Sequence, residues 1–178
     1  MRTFNYSKIS ENKWDSELLG LIAAIYKEAG KQELYLKQRP EELEKLNFAR
    51  YERYRAIEEN EVMYEEYLMD DAEICVVAFG IAARVAKNAV VAAREEGIKV
   101  GLIRPITLWP FPSKVLNAAA DKVKGFISVE LNMGQMIEDI KLATQCKKPV
   151  ALCNRTGGMI PSPDQVLESI RNAQKGVY

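Results

Sequence analysis

Lys99-Val100-Gly101-Leu102-Ile103-Arg104-Pro105-Ile106-Thr107-Leu108-Trp109-Pro110-Phe111-Pro112 begins as an apolar strand and breaks at a proline. From Pro105 to Pro112 the chain can neither continue a ladder nor open a helix, because proline lacks the N–H that both need. Three prolines fix φ three times and lower the entropy lost on folding, which suits a loop that must hold one shape. Two readings stand. The loop is either a plain strand-to-helix connection, or it is held because something packs at the strand end.

Outward from this stretch an α/β rhythm extends both ways. Upstream, Ile74 to Phe79 is a nearly unbroken apolar run, as in a parallel strand covered on both faces, and Gly80 follows where the strand hands over to an alanine-rich helix, Ala82 to Arg94. Downstream, Ser113 is placed to cap a helix through Ala120. Then come a strand over Gly125–Glu130, a helix from about Gln135 to Thr144, a strand over Pro149–Cys153 and a last helix from about Asp164 to Asn172. Four βα units in succession predict a mostly parallel sheet with helices on both faces. Its core is expected to include Ile74, Val76, Val77, Val100, Leu102, Ile103, Ile127, Val129 and Val150.

The N-terminal part differs. Met1 to Lys13 has no apolar period, whereas Leu18, Leu21, Ile22, Ile25 and Ala29 share a helical face between Asp15 and Gly30. Glu33 to Lys37 alternates as a short edge strand would. From Pro40 to about Met69 there is no glycine and no further proline, with Glu41 and Glu42 where a helix dipole favours them. This predicts a charged connector helix lying outside the sheet. The expected organisation is thus an arm and short helix over 1–39, a connector over 40–71 and an α/β domain over 72–178.

Composition narrows the chemistry. The chain of 178 residues carries 25 basic and 25 acidic side chains, so no net field favours nucleic acid or anionic lipid. It contains no histidine, which removes Ser-His-Asp and Cys-His nucleophile pairs and histidine-ligated zinc. Cys75, Cys146 and Cys153 form no iron–sulfur ligand run, and Cys75 and Cys153 read as small core residues. Unpaired cysteines, no signal peptide and no apolar run long enough for a bilayer lead us to expect a reducing cytoplasm.

In a parallel sheet the strand carboxyl ends line a ligand crevice. The residues there are Gly80, Arg104, Glu130, Asn132, Gly134, Gln135, Arg155, Gly157 and Gly158. Gly80 lacks the following glycines of a dinucleotide fingerprint and reads as a tight turn. Gly157-Gly158 either exposes amides to an anion or simply turns the chain. Arg104 and Arg155 are placed either to bind a carboxylate or phosphate or to pair with Glu130 at the rim. Glu130 is a candidate general base with no fixed partner in sequence. Trp109 and Phe111 either anchor an interface or fold back over the core.

Four motifs occur in order: Phe79-Gly80 with Ala83-Arg84; Arg104 through Pro112; Val129-Glu130-Leu131-Asn132-Met133-Gly134-Gln135-Met136-Ile137-Glu138-Asp139; and Arg155-Thr156-Gly157-Gly158 with Pro161-Ser162-Pro163. Together they resemble the C-terminal domain of the α subunit of 2-oxoacid:ferredoxin oxidoreductases, especially the branched-chain 2-ketoisovalerate type. The connector fits as well, through Pro40-Glu41-Glu42-Leu43-Glu44 and Ile57 to Val62. The resemblance implies a three-layer α/β fold like the C-terminal domain of transketolase. It also implies a complex that oxidatively decarboxylates a 2-oxoacid to an acyl-coenzyme A, using thiamine diphosphate, magnesium and iron–sulfur clusters, and passes electrons to ferredoxin.

In such complexes the preceding half of the α subunit and a separate β subunit hold the thiamine cofactor. By that resemblance this chain is a partial α subunit, with assembly its role, no cofactor of its own, and no turnover alone. Its expected partners are the other subunits and the N-terminal half of the α subunit, with ferredoxin reached through the complex and self-association left open. The alternative is a stand-alone module binding a nucleotide or coenzyme A in the strand-end crevice. Two departures from the family pattern, Ile81-Ala82 in place of hydroxyl residues and Asn154 in place of glycine, weaken a small-anion site at those ends.

Overall fold

The computed structural model describes residues 40–178. The helix expected behind Asp15 and the strand expected at Glu33 lie outside the described residues. The chain divides into two compact units, Met1–Glu52 and Arg53–Tyr178.

Helix α1 spans Pro40–Asn60, opens with Glu41 and Glu42 in its first turn, and buries no residue. It stops nine residues short of the expected end. Tyr64–Tyr67 is instead strand β1, antiparallel to β3 (Val100–Pro105), with Tyr64 opposite Pro105 and Tyr67 opposite Leu102. The expectation of an unbroken helix to Met69 fails because the open edge of β3 offers a ladder, and Tyr67 gains a place against the core. Such tertiary gain outweighs a weak helix preference.

The remaining elements follow the predicted alternation: β2 (Ile74–Ala78), α2 (Gly80–Glu95), β3, α3 (Ser113–Ala120), β4 (Gly125–Glu130), α4 (Met136–Ala143), β5 (Val150–Asn154) and α5 (Pro163–Gln174). The sheet order is β1-β3-β2-β4-β5, with β2, β3, β4 and β5 parallel. Alternate residues of each strand point to opposite faces. Ile74, Val76, Val100, Leu102, Ile127 and Val129 therefore meet α2 and α5 on one side, while Cys75, Val77, Ile103 and Phe126 meet α3 and α4 on the other. This is a three-layer α/β sandwich.

All the expected core residues are buried except Val150, which is half-buried because β5 is an edge strand. Alanines at 82, 83, 86, 89 and 93 give α2 a flat buried face that lies close to the sheet. At the other end of the chain Ser162 and Gln165 form a reciprocal capping box, with Pro163 opening α5. Ser113, expected to cap α3, makes no capping bond; Pro112 holds the cap position and Ser113 is the first helical residue.

Candidate functional site

The connection from β2 runs to β3 on one side, and that from β3 returns to β4 on the other. The order therefore reverses beside β2, and the crevice between the ends of β2 and β4 is where an open sheet takes a ligand. Its two walls are the turn at Gly80, where φ is +56°, and the loop from Leu131 to Gln135.

Glu130 is the last residue of β4, and its side chain turns to the start of α4. It is fully buried, and its Oε1 accepts from Ser128 Oγ at 2.7 Å and Ile137 N at 2.9 Å. Its Oε2 accepts from Gln135 N at 2.9 Å and Met136 N at 2.8 Å. Three of the four orphan amides at the start of α4 are thereby satisfied by a carboxylate, the charge the helix dipole favours there. Burial pushes the Glu130 pKa up, but the Ser128 hydroxyl and the three amides outweigh it and hold the carboxyl below its ordinary range. A carboxylate with its pKa lowered and four hydrogen bonds accepted is a structural anion and a poor general base.

The neighbouring candidates also serve the loop. Asn132 Oδ1 accepts from Gly134 N at 2.7 Å and Gln135 N at 3.0 Å, while Asn154 Nδ2 donates to Asn132 O at 2.6 Å. The glycine-to-asparagine departure thus ties the β4 and β5 ends together. Gly134 sits at φ +99°, and a Cβ there would press on Leu152 and Ile137. Neither arginine pairs with Glu130: Arg104 Nη1 bonds Glu65 Oε2 at 2.9 Å across the β1–β3 ladder, and Arg155 meets Glu130 only through its backbone N–H. Gly157 and Gly158 both have positive φ, and Met159 N closes a turn onto Thr156 O. That pattern is a primed β-turn.

The proline loop divides its two aromatics. Phe111 is half-buried against the α3/α4 side of the core, whereas Trp109 is exposed and meets Tyr54 edge to face, with centroids 5.5 Å apart. The loop is pinned to the start of β1. Ile106 N and Thr107 N donate to Met63 O, Met63 N donates to Thr107 Oγ1, and that hydroxyl donates to Pro110 O at 2.8 Å. This brings Met63, Tyr64, Ile106, Leu108 and Trp109 together as large apolar residues that are each 43–55% exposed. Lone exposed apolar residues are ordinary; here five lie on two short segments joined by hydrogen bonds.

Two residues that sequence reasoning did not single out hold this arrangement. Thr107 is one, and Arg94 is the other: its guanidinium reaches Val100 O, Leu68 O and the Asp71 carboxylate, fixing the turn between β1 and β2. Each has one near partner, Pro110 for Thr107 and Val100 for Arg94, but the bonds that join separate segments reach 44 and 23–26 residues away and leave no local signal.

Among the described residues no group of three or more Cys, Asp or Glu side chains is placed to hold a metal. Cys75 and Cys153 are buried, and burial pushes the Cys75 thiol pKa up, so it is poorly suited as a thiolate ligand. With Glu130 on its amides, the start of α4 is not free to take a diphosphate. No helix among them is long and apolar enough to cross a membrane.

Residues 72–166 match the family model of pyruvate:ferredoxin oxidoreductase core domain II. The chain belongs to this family. Over 131 residues it is 57% identical to the ketoisovalerate oxidoreductase subunit VorB of Methanothermobacter thermautotrophicus, a match covering 74% of this chain and 37% of that relative. The match therefore spans little more than a third of that relative's length. Core domain II in this chain shares its fold with the 2-oxoglutarate:ferredoxin oxidoreductase of Magnetococcus marinus. There the TM-score is 0.63 at 18% identity, over 76% of this chain and 24% of that one. A split-gene transketolase in its inactive β4 tetramer has the same fold, with a TM-score of 0.55 at 17% identity, over 64% of this chain and 41% of that one.

Proposed function

We propose that this chain is the core-domain-II portion of the α subunit of a 2-oxoacid:ferredoxin oxidoreductase that acts on 2-ketoisovalerate, and that its part is assembly. The identity to a ketoisovalerate oxidoreductase subunit supports the substrate class. The observation that carries the assembly role is the concentration of exposed apolar residues, Met63, Tyr64, Ile106, Leu108 and Trp109, on a pinned loop and the segment it is bonded to, with the α4 amides already held by Glu130. Trp109 is the anchor of that group, and the partners it meets are the other subunits and the preceding half of the α subunit. Thiamine diphosphate, magnesium, the iron–sulfur clusters and coenzyme A belong to those parts, in a reducing cytoplasm where ferredoxin takes the electrons.

The alternative, a nucleotide or coenzyme A module at the strand ends, is not favoured, because the amides at the start of α4, one of the two helix starts at that crevice, are bonded to Glu130. The purified chain, supplied with 2-ketoisovalerate, coenzyme A, thiamine diphosphate and magnesium under anaerobic conditions, is expected not to reduce a viologen acceptor. Turnover by this chain alone would overturn the assembly role.

A further inference from the structure

The apolar face borders a groove of about 440 Å³, lined by Glu58, Glu59, Val62 and Tyr64 on one side and by the 109–115 segment on the other. Trp109, Pro110, Phe111 and Pro112 supply an aromatic and proline surface. Glu58 and Glu59 supply charge. Neither has an ion-pair partner among the described residues, and Lys114 is the one basic residue along the lining. Aromatic grooves of this kind capture extended proline-containing chains, whose order is largely set before binding. A pair of carboxylates on one wall then favours a cationic side chain over an anionic one.

We infer that the groove docks an extended, proline-containing segment of a partner subunit that directs a lysine or arginine at Glu58 and Glu59. The inference rests on the assembly reading and adds the chemistry of the partner to it. The ring of Trp109 supplies apolar contact, and the two carboxylates choose the sign of the charge beside it.

The test uses the full chain and a dye-labelled decapeptide of alternating proline and leucine that carries two arginines, with a counterpart carrying glutamates instead, read by fluorescence anisotropy. At low salt the arginine peptide is expected to bind about tenfold tighter than the glutamate peptide, and the advantage should shrink at about 0.5 M salt as the charges are screened. The double change Glu58→Gln with Glu59→Gln should erase the advantage without altering the melting temperature, since both side chains are exposed. Trp109→Ala should weaken both peptides. Equal binding of the two peptides, lost in Trp109→Ala, would overturn the charge selection and leave the assembly face standing. Binding indifferent to Trp109→Ala would overturn the assembly face itself, and no binding of either peptide would overturn the docking groove.

Discussion

At the residue scale, Glu130 is the side chain on which the rim depends. An ionised carboxylate buried among one hydroxyl and three amides is stable only because every lone-pair direction near a donor is used. Glu130→Gln keeps the shape but removes the charge and turns an amide N–H toward other donors, and is expected to cost about 2 kcal/mol. The pH dependence has a definite sign. The folded-state pKa lies below the ordinary value of 4.5, so the stabilisation is complete above that value and is lost as pH falls through the folded one. Thermal melts should therefore separate wild type from Glu130→Gln at neutral pH, and the gap should close in the acid range. A gap independent of pH would contradict the anionic role. Sequence alone placed Glu130 at a strand end but left base and ion-pair partner open, because bonds to residues five to seven positions on depend on how the chain turns into α4. Arg104 was ambiguous for a related reason: its partner, Glu65, is set by the register of a strand that has no sequence signature of its own.

At the element scale, the strands and helices of the sandwich were legible wherever burial alone decides them. Ile74, Val76 and Val77 read as a doubly covered strand, and Pro161-Ser162-Pro163-Asp164-Gln165 reads as a helix start because the capping box is local. Tyr64–Tyr67 was not legible. Its sequence, Tyr-Glu-Glu-Tyr, suits a charged helix as well as an exposed edge strand, and the β3 edge decides between them. The cost of that choice is a junction that must be held by side chains, and Thr107 holds it. Thr107→Val retains the volume while removing the hydroxyl that accepts from Met63 N and donates to Pro110 O. It is expected to cost about 1–2 kcal/mol. Hydrogen exchange should then quicken at Met63, Ile106 and Thr107 with β2 and β4 unchanged. Equal quickening throughout the sheet would mean that the loop is not a separate locking element.

At the scale of the whole molecule, the family was legible because its motifs fall at strand ends in a fixed order, and the topology explains why: each motif is a turn from a parallel strand into the next helix. The direction of the Trp109 side chain was not legible, since Trp109 and Phe111 sit two residues apart in a proline loop and only the fold sends one outward and the other to the core. The proposed assembly role turns on that difference. An exposed aromatic anchor contributes to association and little to folding, whereas a core aromatic does the reverse. The deciding measurement is the association of the purified chain with the remaining subunits of the oxidoreductase, wild type against Trp109→Ala, alongside the melting temperature of each. The account predicts association weakened by about 2 kcal/mol or more, roughly thirtyfold, with the melting temperature unchanged. Undiminished association together with a melting temperature lowered by several degrees would contradict it.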